Sequence, residues 1–178
     1  MSPSASLDRR LLIAARTRGH GPGRERAVAA YSRLGEHAAC WLVLGGGGAL
    51  LDSRRRSRWL YGAGVVAASY ALNYAVKLAV RRPRPQLESL PALSPVVSRL
   101  SFPSAHATTS FAAAAAYRGL APAAALYGAA AAFAVTRPYL GVHYPSDVVA
   151  GALLGTAAGE AARAVAARHL AGGGATCP

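Results

Sequence analysis

His143 and Asp147 stand four residues apart in TRPYLGVHYPSDVVAG, residues 136–151, with Pro145 between them. Pro145 or Ser146 is a natural first residue for a helix, which places Asp147 in the first turn, within reach of the histidine behind it. A carboxylate bonded to one imidazole nitrogen leaves the other as a lone pair, which is how a histidine nucleophile is prepared. Taken alone, the same spacing also fits a capping aspartate beside an incidental histidine. The surrounding residues change that balance. Arg137 lies just upstream, Lys77 and Arg84 fall in KLAVRRPRP (77–85), and Ser104 and His106 fall in SFPSAHA (101–107). Three cations with few acids near them repel one another when buried together, and a bound oxyanion relieves that repulsion. Arginine forks grip phosphate oxygens bidentately and lysine adds a point charge. Pro83 and Pro85 fix the backbone on either side of Arg84. Ser104, at a helix start, sits where free N–H groups and the helix dipole favour an anion. His106 can face the same pocket from the other side, protonating a departing oxygen and then drawing a proton from water. Together these residue types suit phosphoryl transfer, a reaction of positioning and charge stabilisation.

The elements that must position these residues are written in the composition. The chain has 178 residues, a natural length for one domain, with 20 Lys and Arg against 7 Asp and Glu and a formal net charge of +13. Hydrophobic residues make up 53%, yet mean hydropathy is only +0.24. Both facts follow if Ala-rich runs alternate with Arg-rich ones, the pattern of a chain threading a bilayer with basic loops at the headgroups. Five apolar segments appear, at about 37–51, 59–80, 104–117, 121–136 and from Asp147 onward. The second alone has full spanning length. None carries the polar stripe of a soluble bundle helix. The expectation is an all-α, polytopic membrane bundle of about five transmembrane helices. Within it, loops after the second and fourth helices emerge on one side, so all three polar clusters meet at one membrane face. Residues 1–36 read as a basic arm in which LDRRLLIAARTRG makes a short amphipathic surface helix or a solvated tail, broken by GHGPG at 19–23. Residues 37–170 form the membrane domain and 171–178 a flexible tail. Gly151, Gly155 and Gly159 give the fifth helix a smooth face for close packing, within the chain or against a second copy.

Lys77 with Arg84-Pro85 reads K-x₆-R-P, PSAH at 103–106 is similar to P-S-G-H, and TRPYLGVHYPSD is similar to S-R-x₅-H-x₃-D. This three-part pattern resembles the signature of the type 2 phosphatidic acid phosphatases, the PAP2 superfamily, which shares its site with the vanadium haloperoxidases. The resemblance spans about residues 40–165. It implies that His143 attacks phosphorus to form a phosphohistidine and that Asp147 orients it. It makes His106 the general acid and then the base, and Lys77, Arg84, Ser104 and Arg137 the phosphate-binding residues. Ala105 stands where the family has Gly, and Thr136 where it has Ser; neither change removes a catalytic group. The resemblance further implies a membrane-embedded phosphatase acting on a lipid or polyprenyl phosphate at the plasma membrane. The compactness of the chain is similar to that of members acting on decaprenylphosphoryl-5-phosphoribose, on the route to cell-wall arabinan. Undecaprenyl diphosphate, phosphatidylglycerol phosphate and phosphatidic acid are the alternative substrates.

No metal or other cofactor is expected, because only Asp147 among the acids falls within a polar cluster, whereas two-metal phosphatases converge several carboxylates. Nucleic-acid binding, the rival reading of so much positive charge, lacks any supporting motif. The other rivals are a haloperoxidase, a soluble basic helical binder and a catalytically inactive membrane lipid-binding protein. Cys40 and Cys177 are not expected to pair. The positive-inside rule conflicts with itself: seven arginines from Arg9 to Arg33 favour a cytoplasmic site, and the short DSRRRSR loop favours the reverse. Arg54, Arg55, Arg56, Arg58, Arg118, Arg163 and Arg168 read as interfacial anchors.

Overall fold

The computed structural model describes residues 3–96 and 98–172, with side chains from 6 to 168 apart from 97. Cys177 and most of the expected tail lie outside the described residues. Those residues are all-helical, with two isolated bridges and no strand. Seven α-helices follow one another: α1 (Pro3–Thr17), α2 (Pro22–Leu34), α3 (Ala39–Leu51), α4 (Arg56–Val80), α5 (Ala105–Tyr117), α6 (Ala123–Tyr139) and α7 (Pro145–Gly172). The last five occupy the five apolar segments of the sequence. The basic arm is not a single surface helix: it folds into α1 and α2, broken at 18–21 as GHGPG anticipates.

Helix α5 is the hub, packed against α3, α4, α6 and α7. Its run of alanines is almost wholly buried, so neighbouring backbones approach closely. The glycine stripe of α7 is spent on this contact. A Cβ at Gly151 would stand 2.6 Å from the Ser104 carbonyl oxygen and one at Gly159 2.6 Å from the Ala115 Cβ, while at Gly155 it would collide with the Thr108 carbonyl. Below the site, Tyr117 is fully buried; its hydroxyl donates to the Trp41 carbonyl at 3.0 Å, and the Trp41 indole donates to Ser110 Oγ at 2.8 Å. Asn73 ties α4 to α5 by donating to Thr108 Oγ1 at 2.9 Å and to the Pro103 carbonyl at 3.3 Å. These buried polar groups below the site therefore have partners, as a low-dielectric interior requires.

Large apolar side chains also point outward. Leu51 is 91% exposed, Leu50 79% and Val43 72%, and Leu60, Leu72, Val149 and Leu153 join them. Water would penalise that surface and lipid would not. Two helical stretches, Ser53–Val80 and Pro145–Arg168, are long and apolar enough to cross a bilayer, each with a mean hydropathy of 1.3. These features mark a membrane protein.

Helix order brings the C-terminal ends of α4 and α6 and the N-terminal ends of α5 and α7 to one end of the bundle. α4 stops at Arg81, in a left-handed conformation (φ 53°), where its N–H bonds the Lys77 carbonyl. α6 runs further than the apolar run of the sequence, through Pro138 to Tyr139, so Arg137 lies on the last helical turn rather than in a loop. α7 opens at Pro145, with Asp147 in its first turn.

Candidate active site

A cavity of about 120 Å³ opens at this end of the bundle. Lys77 from α4, Arg84 from the loop that follows, His106 from α5, Arg137 from α6 and His143 from the α6–α7 loop all contribute to its wall. Asn73, Tyr70, Tyr74, Glu36 and His37 also line it. Five of the seven residues singled out from the sequence thus share one cavity. The other two lie directly behind it. Asp147 is fully buried next to His143. Ser104, the N-cap of α5, is also fully buried; its N–H donates to the Asp147 carbonyl at 3.0 Å, and its Oγ has no hydrogen-bond partner among the described residues.

The tautomer of His143 follows from its neighbours. Arg84 Nη1 lies 3.1 Å from His143 Nε2. A guanidinium only donates, so Nε2 accepts and the ring proton is on Nδ1. That Nδ1 faces Asp147 Oδ2 at 3.5 Å, an approach slightly longer than a formed hydrogen bond. Asp147 is held on its other side: Oδ2 accepts from the Tyr144 N–H at 2.9 Å, and Oδ1 accepts from Arg82 Nη1 at 2.7 Å. The lone pair of His143 therefore points into the cavity. Burial, and after it the charges of Arg84, Arg137 and Lys77, push this imidazole well below its ordinary value, so it is neutral at neutral pH.

Among the described residues, the cations on the cavity wall form no salt bridge. Lys77 Nζ donates to the carbonyls of Leu100 and Pro103, both at 3.1 Å. Arg84 donates to the carbonyls of Ser98 at 2.6 Å and Val142 at 2.7 Å. Arg137 Nη1 donates to Ser32 Oγ, and its Nε has no partner among the described residues. Burial lowers the Arg84 pKa from its ordinary value, with Asp147 pulling the other way. Neutral acceptors take most of these donors and no carboxylate is bonded to them, which is the electrostatic form of an anion site.

His106 is placed differently from the simplest expectation. Its Nε2 lies 3.0 Å from the Ser32 carbonyl oxygen. A carbonyl only accepts, so Nε2 carries the proton and gives it to α2 rather than to open space. Gly35 lets this turn press on the ring, since a Cβ there would stand 3.0 Å from His106 Cδ2. Sequence reasoning missed the supporting residues Asp8, Ser32, Glu36 and Arg82. Ser32 acts through its backbone carbonyl on His106 and through its Oγ on Arg137, and a single serine on a basic helix signals neither. Arg82 carried a signal, as a second arginine in KLAVRRPRP, but nothing separated it from its neighbours. Asp8 is the lone acid among the basic residues of α1.

Comparison with known proteins places the chain in a family. The model of the PAP2 superfamily matches residues 58–169. Over 138 residues, 78% of each chain, the sequence is 38% identical to the decaprenylphosphoryl-5-phosphoribose phosphatase of Mycobacterium tuberculosis. Over 131 residues, 73% of this chain and 72% of the relative, it is 40% identical to the protein of the same name from Mycolicibacterium smegmatis. Two crystal structures share the fold at a TM-score of 0.73. A transmembrane PAP2-type phosphatidylglycerolphosphate phosphatase from Bacillus subtilis has 22% identity over 94% of this chain and 88% of its own. LpxE from Aquifex aeolicus has 24% identity over 88% of this chain and 94% of its own. With a family match over most of its length and relatives near 40% identical, this chain belongs to the PAP2 superfamily and is a phosphatase.

Proposed function

We propose that the protein is a multi-pass plasma-membrane phosphatase that removes the 5-phosphate of decaprenylphosphoryl-5-phosphoribose through a phosphohistidine. In this reading α3 to α7 cross the bilayer, and the catalytic rim lies at the headgroup level where a lipid phosphate is presented. The observation that carries it is the state of His143, a neutral imidazole with its lone pair facing a cavity walled by Lys77, Arg84 and Arg137.

His143 Nε2 attacks phosphorus and the bond to the ester oxygen breaks. Asp147, against Nδ1, stabilises the positive charge that develops on the ring. Arg84, beside Nε2, shifts its Nη1 onto a phosphoryl oxygen, and Lys77, Arg137 and Ser104 take the others. The Ser104 Oγ and Arg137 Nε, both buried and unpartnered, are suited to that task. With the anionic phosphate bound, His106 acts as its imidazolium: it gives a ring proton to the leaving oxygen and is left as the neutral ring. His106 then accepts a proton from the water that cleaves the phosphohistidine and releases inorganic phosphate.

Two observations favour a sugar phosphate over phosphatidic acid. The curated relatives carry the decaprenylphosphoryl-5-phosphoribose name. The cavity lining also includes Glu36, together with His37 hydrogen-bonded to the Tyr70 hydroxyl at 3.0 Å. Those acceptors meet ribose hydroxyls productively, whereas a diacylglycerol leaving group offers them nothing to bind. The reaction as written uses no metal, and among the described residues no cluster of three His, Cys, Asp or Glu side chains forms one.

Phosphate release by the detergent-purified protein, from decaprenylphosphoryl-5-phosphoribose, undecaprenyl diphosphate, phosphatidylglycerol phosphate and phosphatidic acid, tests this. The ribose substrate is expected to have the highest kcat/KM. EDTA is expected to leave the rate unchanged. His143→Ala is expected to lower kcat by about 10⁴-fold or more. Parental activity in that variant would refute the assigned nucleophile, and a preference for another lipid would refute the substrate.

A further inference from the structure

Asp8 lies on α1, far in sequence from every motif of the site and outside the segment matched by the family model. It is nevertheless buried at the base of α7. Its Oδ2 accepts from Arg82 Nη2 at 2.7 Å and its Oδ1 from the Ser146 N–H at 3.0 Å; the Ser146 hydroxyl also donates to it. Arg82 uses its other terminal nitrogen, Nη1, to bond both Ser146 Oγ and Asp147 Oδ1 at 2.7 Å, and its guanidinium stacks over the Tyr144 ring at 4.1 Å. We propose that Asp8 and Arg82 are positioning residues for the hydrolytic site, fixing Asp147 against His143 from outside the cavity. This rests on the reading of His143 as the nucleophile.

The geometry divides the work between the two oxygens of Asp147. Oδ2 meets the Tyr144 N–H and faces His143, while Oδ1 belongs to Arg82. Left to itself, a partly exposed guanidinium has several rotamers and reaches Asp147 in only some of them. Asp8 removes that freedom by holding the second arm of the fork, and bidentate geometry fixes direction as well as distance. The same carboxylate binds the first turn of α7, the backbone from which Asp147 projects. One side chain thus sets both the arginine and the helix start, and the two together set the carboxylate that faces the imidazole.

The competing explanation is that Asp8 merely fastens α1 to the bundle. α1 is already fastened elsewhere: Leu12 is fully buried, and Arg16 donates to the carbonyls of Pro91 at 2.8 Å and Tyr139 at 3.3 Å. Docking of the helix does not require Asp8, whereas the alignment of Arg82 does.

The test uses the full chain in detergent with decaprenylphosphoryl-5-phosphoribose, and phosphatidic acid as a second substrate. Asp8→Asn is expected to lower kcat about 10-fold with KM unchanged, the scale of loss seen when groups that orient a reacting residue are removed. Arg82→Lys keeps the charge but cannot bridge two carboxylates, and is expected to show the same split. Asp8→Glu is expected to recover part of the rate. In an Asp147→Asn background, Asp8→Asn is expected to cause no further fall, because the two act on the same atom. Unchanged kcat in Asp8→Asn overturns the proposal, and so does a fall that simply multiplies with that of Asp147→Asn or tracks a lowered Tm. Should Asp8→Asn not fold, Arg82→Lys and Ser146→Ala decide by the same criteria. An active His143→Ala defeats the underlying mechanism; an inactive His143→Ala beside a fully active Asp8→Asn defeats only this inference.

Discussion

Arg82 and Arg84 are two residues apart in one loop, and the fold treats them in opposite ways. Arg82 is surrounded by oxygen that carries charge: the carboxylates of Asp8 and Asp147, with the Ser146 hydroxyl between them. Arg84 is given two carbonyls and the lone pair of His143. Charge neutralised by carboxylates belongs to the architecture, while charge left with neutral acceptors is available to a ligand. Exchanging the variants should therefore exchange the symptoms. Arg84→Ala is expected to lower kcat/KM by about 10²–10³-fold, the range for removing one donor from a preorganised oxyanion site. It should cost less stability than Arg82→Ala, because relief from Lys77 and Arg137 offsets its lost carbonyl bonds. Arg82→Ala leaves two buried carboxylates without their cation. With a quarter of the Arg82 side chain exposed, the expected loss is about 2–3 kcal/mol. Steady-state rates beside thermal unfolding in detergent separate the two. If both variants lose activity and stability in the same proportion, the distinction between them fails.

A weaker effect sharpens the same contrast. An anion that fills the cavity binds only the folded state, so orthovanadate or inorganic phosphate at ten times its Kd should stabilise the protein by about 1.4 kcal/mol. Arg84→Ala should abolish that gain. Arg82→Ala should start from a lower Tm and still show it. The measurement is Tm against anion concentration, with chloride as the control at matched ionic strength.

What the sequence disclosed and what it hid divide along similar lines. The five bundle helices were legible because their apolar runs are long and their breaks carry Arg, Pro and Gly. The site residues were legible because His143, Asp147 and Arg84 are unusual types in fixed spacing beside apolar helices. The extension of α6 through Pro138 was hidden: a proline beyond the first turn lacks the N–H for the carbonyl four residues back and ordinarily ends a helix, so a reading by residue type stops before it. The closure of α1 and α2 over the site was hidden for a different reason. Seven arginines make the arm look like a surface element, and the residues that dock it are a lone aspartate, one leucine, one arginine and a backbone carbonyl. Packing at that distance in sequence has no periodicity to reveal it. The glycine stripe of α7 was visible as a packing face, yet only the structure gives its partner, the backbone of α5.

The smallest effect expected is a titration. His143 is pushed well below its ordinary value of 6.5 by burial first and by Arg84 second. A neighbouring cation opposes the protonated, charged imidazole, so removing it must raise the affinity for the proton. In the parent, the His143 ring signals in a ¹⁵N-labelled, detergent-solubilised sample should therefore stay in the neutral form as pH falls through the usual histidine range. In Arg84→Ala the midpoint should move upward, though burial and the charges of Lys77 and Arg137 keep it below the ordinary value. In Arg82→Ala it should not rise the same way, since the Arg82 guanidinium is bonded to the carboxylates of Asp147 and Asp8 rather than to this ring. A His143 that titrates at its ordinary value in the parent would mean the three wall cations do not converge on it, and the cavity would lose the charge that makes it a phosphate site.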